Sequence, residues 1–176
     1  QFLKNLAIIA IPVALQNMLT TTGSMIDTMM IAPLGETTVG AVGLCAQFSS
    51  LMFAGYWGFF GGGMLFFSQY WGAQDDDGID HSYGLTLTCM MIVGLTFGAF
   101  AIFAPETVMK LYTDKENIQV IGAEYLRIIG FGYPVQVFSM AMSALLRSTE
   151  RVRIPLFASI ASVASNIFLN WVFIYG

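Results

Sequence analysis

Five stretches, at about 5–33, 38–69, 84–104, 119–147 and 154–175, each hold the roughly 20 mostly apolar residues that a helix needs to cross a bilayer. That recurrence constrains the fold more than any other feature. Lipid offers backbone amides no hydrogen-bond partner, so a spanning segment closes its bonds internally as a helix or joins a closed barrel. No series of ten-residue alternating strands is present, and the chain reads as an all-α polytopic membrane protein. Only 10% of its 176 residues are charged, against about 25% in a typical soluble domain. The net charge of −4 then says little about partners.

The separators are short. In "PLGET", Pro33 and Gly35 are expected to end the first helix, with Thr37 or Thr38 capping the second. "WGAQDDDGIDHS" reads as a loop. Its spacing does not suit calcium: with Gly78 as the loop glycine, Ala73 takes the first ligand position and Gly84 stands where a glutamate is needed. "APETVMKLYTDKEN" reads as a short amphipathic, interfacial helix, and "RSTERVRIP" as a loop with Pro155 in the first turn of the last span. With five crossings, Lys4, Arg147, Arg151 and Arg153 share one side, Lys110 and Lys115 the other, and Arg127 lies inside the fourth span near its start. This bias orients the amino terminus and the arginine loop toward the cytoplasm of a multi-pass protein of the cell membrane. Gln1 at the start and "NWVFIYG" at the end, without a polar tail, lead us to expect a piece of a longer protein. Cys45 and Cys89 sit in apolar spans and read as small buried residues.

Asp27, within "GSMIDTMMIA", is the residue most in need of an explanation. A carboxylate at the centre of a membrane helix costs about 2.5–3.5 kcal/mol on insertion scales, so it ordinarily faces a cavity or a partner. Gln16, Thr20, Ser24 and Asp27 step by fours and a three and share one helical face. In the fifth span Ser159, Ser162, Asn166 and Asn170 form a matching stripe. A carboxylate opposite two amides can hold a proton or a hard monovalent cation such as Na+ through oxygen ligands. The same groups can also serve as interhelical glue. Gln47 is a further cavity-lining candidate. Pro12 and Pro134 are candidate helix bends, although Pro12 stands close enough to the helix start to be merely tolerated. Gly58 and Gly62 form a GxxxG pair suited to close packing or to a hinge. No hydrolase triad, metal-ligand set or phosphate-binding glycine loop is present. We therefore expect no enzyme, no bound cofactor and no nucleic-acid partner.

Taken in order, these segments resemble the multidrug and toxic compound extrusion transporters. "AIPVALQNML" followed by "IDTMMIAPLGETTVGAVGLCAQ" is similar to their first two helices, and "SQYWGAQD" to the loop that follows. "APETVMKLYTDKENIQVIGAEYLRI" resembles their third loop and fourth helix. "ALLRSTERVRIPLFASIASVASNIFLNWVFIYG" resembles their arginine loop and fifth helix. The resemblance implies that 1–176 is most of a six-helix amino-terminal lobe from a twelve-helix transporter, with a carboxy-terminal lobe as its partner. It further implies export of cationic amphiphilic drugs by alternating access, coupled to inward flow of H+ or Na+. Asp27 and Pro12 match the family's acidic residue and proline of helix one, and Asn166 and Asn170 match two polar positions of helix five. Some branches carry aspartate where Asn170 stands, and glycine is usual at the position of Glu150. Two other readings remain open. One is a flippase for lipid-linked oligosaccharides on the related fold, which calls for a cationic cavity. The other is a non-transporting scaffold or channel subunit.

Overall fold

The computed structural model describes the backbone of residues 2–175 and the side chains of 10–33 and 35–173; Lys4 falls outside the described side chains. Among the described residues there is no strand, and the fold is that of an all-α membrane protein. Helix α1 (Phe2–Ile31) passes through a 3-10 turn (Ala32–Leu34) into α2 (Glu36–Ala73). Gly35 makes this corner at φ 100°, a conformation that costs glycine little and other residues much. Gly35 is also the N-cap of α2, so Thr37 and Thr38, the expected caps, fall inside the helix behind Glu36.

The expected acidic loop is not a loop. Only Gln74 and Asp75 separate α2 from α3 (Asp76–Phe103), and His81 lies within α3. Gln74 closes α2 in the left-handed region, at φ 57°. The Asp75 carboxylate then caps α3 by accepting from the Gly78 N–H at 2.9 Å. Asp76 and Asp77 occupy the first turn, where the positive end of the helix dipole favours acids. A short α4 (Pro105–Tyr112) follows, as its amphipathic pattern suggests, burying Pro105, Val108 and Met109.

The fourth apolar stretch forms two helices, α5 (Glu116–Gly130) and α6 (Tyr133–Ser148), bent by 51°. Pro134 stands in the first turn of α6. It has no N–H to give the carbonyl four residues back, and its ring would clash with that group. The carbonyl belongs to Gly130. It leans on α3, where a Cβ at Gly98 would stand 3.1 Å from its oxygen. Pro12, by contrast, lies inside a continuous α1.

The chain closes with α7 (Arg153–Tyr175). Among the described residues, α2, α3 and α7 are each long and apolar enough to cross a membrane, and the bent α5–α6 pair reaches that length and apolarity only when its two helices are taken together. With 30 residues α1 has the length too. Its described part, holding Gln16, Asn17, Thr20, Thr21, Thr22, Ser24 and Asp27, is too polar to meet the same measure.

The core lies among α2, α3, α5 and α6, where Met52, Tyr56, Phe67, Met90, Leu126 and Val137 are fully buried. Helices α1 and α7 pack mainly against each other beside this bundle. The glycines that admit α3 to α2 are Gly55, facing Val93, and Gly63, facing Thr86. Among the described residues, Gly58 and Gly62 do not mediate the close packing expected of them: no atom of another helix lies within 4 Å of a Cβ built on either.

Glu150, between α6 and α7, adopts φ 60°. Left-handed backbone costs a residue bearing a Cβ about 1–2 kcal/mol, whereas glycine gives back about 0.4–1 kcal/mol through its freer unfolded chain. Glu150→Gly is thus expected to stabilise the protein by about 0.5–1 kcal/mol, raising the thermal unfolding midpoint in detergent by about 2–4 °C per kcal/mol. A lower midpoint would mean that the Glu150 side chain contributes more than its strain removes.

Candidate functional site

Two parallel polar stripes meet where α1 lies against α7. Gln16 Nε2 donates to Ser159 Oγ at 2.9 Å, and Asn170 Nδ2 donates to Asp27 Oδ1 at 2.7 Å. Both pairs keep the same sequence offset, so the two helices stay in register over the eleven residues from Gln16 to Asp27, about 16 Å of helix. Between them Gly23 is buried, and a Cβ there would stand 3.3 Å from Val163 Cγ2. A residue without a side chain lets the two backbones approach closely enough for short polar groups to bridge them.

Asp27 and Asn170 are both half-buried. The Asn170 amide also donates to Asn166 Oδ1, at 3.2 Å, so its nitrogen sits between a carboxylate and a carbonyl oxygen. Thr20, Ser24, Asp27, Ser159, Ser162 and Asn166 line a cavity of about 290 Å³. Its walls carry hydroxyl, amide and carboxylate oxygens, a donor set suited to a proton or a hard cation. Thr20 directs its hydroxyl to the Gln16 carbonyl at 2.9 Å, as a threonine one turn along a helix commonly does.

The other expected residues lie apart. Gln47 is exposed on α2 and lines neither this cavity nor its neighbour. Arg127 is exposed and pairs with Glu106 at 2.9 Å. Pro134 marks the α5–α6 break, away from the α1–α7 contact.

One residue of this site was missed. Arg147, read from the sequence as a loop cation, belongs to the last turn of α6. Its Nη2 donates to Gln16 Oε1 at 2.8 Å, making a relay from Arg147 through Gln16 to Ser159. These three residues line a second cavity, of about 640 Å³, that shares Thr20, Ser159 and Ser162 with the first. The signal available in sequence was the amide of Gln16 on an apolar helix, which calls for a partner of its own.

Comparison with known proteins bears on this arrangement as a whole. The chain is 25% identical over 174 residues to the "Probable multidrug resistance protein YoeA" of Bacillus subtilis (strain 168), covering 98% of this chain and 38% of that protein. It is 23% identical over 179 residues to the "Probable multidrug resistance protein NorM" of Neisseria meningitidis serogroup A, covering 99% and 39%. It is 30% identical over 87 residues to "Protein DETOXIFICATION 43" of Arabidopsis thaliana, covering 48% and 16%. The chain thus spans less than half the length of these relatives. The MatE family model matches residues 12–172, which take in α1 from its proline, both polar stripes and all but the end of α7. The chain belongs to the MatE family, that of the multidrug and toxic compound extrusion transporters.

Proposed function

We infer that this chain forms part of a cation-coupled efflux antiporter of the cell membrane, with its amino terminus in the cytoplasm, that exports cationic amphiphilic compounds. The names of its relatives support drug efflux. The observation that carries the coupling mechanism is the 2.7 Å hydrogen bond from Asn170 to Asp27 at the edge of an oxygen-lined cavity. An ionised Asp27 attracts a cationic drug. A proton or Na+ arriving at the same carboxylate removes that attraction, and Asn166 and Asn170 supply the amides that exchange partners as the charge changes. A ligand shifts two access states only by its differential affinity for them, and the charge of one half-buried carboxylate supplies such a difference.

The test is drug transport by the full-length protein in proteoliposomes, with proton and sodium gradients imposed separately. One of the two is expected to drive uptake of a cationic dye into inverted vesicles; uptake indifferent to both would overturn the reading. A hydrogen bond to a charged group contributes about 1.5–3 kcal/mol. Asn170→Ala is therefore expected to cut ion-driven flux about ten- to hundred-fold, and Asn166→Ala, one step further from the carboxylate, by less. Ion dependence unaltered in both variants would reduce the α7 stripe to packing.

A further inference from the structure

We propose that the cavity of about 640 Å³ between α1, α2, α6 and α7 binds the anionic head of an aromatic amphiphile, a carboxylate or a phosphate, with Arg147 as its donor. This extends the ligand chemistry beyond the cations assigned to Asp27 and does not rest on that assignment.

Three observations converge on it. First, Arg147 lines the cavity, and among the described residues no carboxylate lies within ion-pair distance of it. A guanidinium has five N–H donors. Here Nη2 reaches the neutral Gln16 amide, while Nε is buried with no acceptor. A cation placed among spanning helices ordinarily finds a counter-charge, and a planar fork of donors is matched best by an anion with two oxygens. Second, α2 gives the same cavity an aromatic wall. Trp57 stacks on Phe60 with ring centroids 5.2 Å apart and packs against Phe53 at 4.9 Å, yet remains half exposed. Such a slab takes a flat apolar body. Third, Ser139 and Ser143 add hydroxyls from the same helix as Arg147. Cation, hydroxyls and aromatic slab lie within one cavity, which is the arrangement an amphiphile with a negative head requires.

The experiment uses the purified full-length protein in phosphatidylcholine nanodiscs and compares 2-naphthoate with the neutral, isosteric 2-naphthamide. Wild-type protein is expected to bind the carboxylate at least ten-fold more tightly than the amide, a comparison that needs no variant. Arg147→Gln is expected to bring naphthoate down to the affinity of naphthamide, erasing this preference. Arg147→Lys, which keeps the charge and loses the fork, is expected to retain only part of it. Equal affinity for the two probes in wild type, or a preference that survives Arg147→Gln, overturns the proposal. Adding phosphatidylglycerol to the discs separates the sources of the anion. If a lipid phosphate is the natural occupant, naphthoate affinity falls further in wild type than in Arg147→Gln. If a soluble carboxylate is, the two fall alike, from surface charge alone.

Discussion

Asp27→Asn is expected to abolish drug efflux by the full-length protein while its abundance in the membrane stays at the wild-type level. The substitution is chosen because it removes charge and almost nothing else. Asn170 Nδ2 donates to Asp27 Oδ1 at 2.7 Å, and asparagine offers a carbonyl oxygen at the same place. The contact between α1 and α7 therefore persists, and Gln16–Ser159 and Gly23–Val163 hold the helices together further along. Folding does not suffer, since the substitution removes a charge that is costly among spanning helices. Coupling does not survive. Moving a two-state carrier from 1:99 to 99:1 takes a differential affinity of about 5.5 kcal/mol, and a neutral amide presents the same face to drug and to ion in both states. Resistance in a drug-sensitive host is expected to drop to that of cells lacking the transporter, with Asp27→Glu retaining part of it. Unchanged resistance in Asp27→Asn, at equal abundance, would leave Asp27 as interhelical glue and favour a scaffold or channel subunit instead.

The helical spans α2, α3 and α7 were legible because lipid permits only one local solution for each, so length and apolarity carry the signal. The fourth expected span is bent into α5 and α6, and α1 has the length but is too polar in its described part. The facing of Asp27 and Asn170 was legible for a related reason: each stripe repeats at helical spacing, and a polar stripe on a spanning helix requires another to meet it. Where the reading went wrong, the missing quantity was rotation or reach. The GxxxG spacing of Gly58 and Gly62 is correct for close packing, but spacing does not say which face of α2 turns toward α3; Gly55 and Gly63 hold that position. Arg147 has a long side chain at a helix end, and from there it can reach water or a cavity equally well. The run of aspartates looks like a solvated loop by composition alone. Their preference for a helix N-terminus, with Asp75 as the cap and Asp76 and Asp77 behind it, was the better guide.

Substitution of Gly130 is expected to have the second largest effect, through stability rather than coupling. The bend of 51° exists because Pro134 releases the Gly130 carbonyl, and that end of α5 then lies directly on α3. A Cβ at Gly130 would meet Ala101 Cβ at 2.8 Å and Ile102 Cγ1 at 3.0 Å. Ala101 is fully buried, and its Cβ is fixed to the α3 backbone, so relief requires the helices to separate. Overpacking of this kind costs about 1–3 kcal/mol, and Gly130→Ala is expected to lower the unfolding midpoint in detergent by about 2–4 °C per kcal/mol. Gly130→Leu sends a branched side chain into the same space and is expected to leave little folded protein in fluorescence-detected size exclusion. Gly62→Leu is the control: it adds the same side chain where, among the described residues, no atom of another helix lies within 4 Å of the new Cβ, and it is expected to be neutral. Equal midpoints for Gly130→Leu and Gly62→Leu would mean that α3 and α5 do not meet at this glycine. The bend would then lose its packing partner, and Pro134 alone would have to account for it.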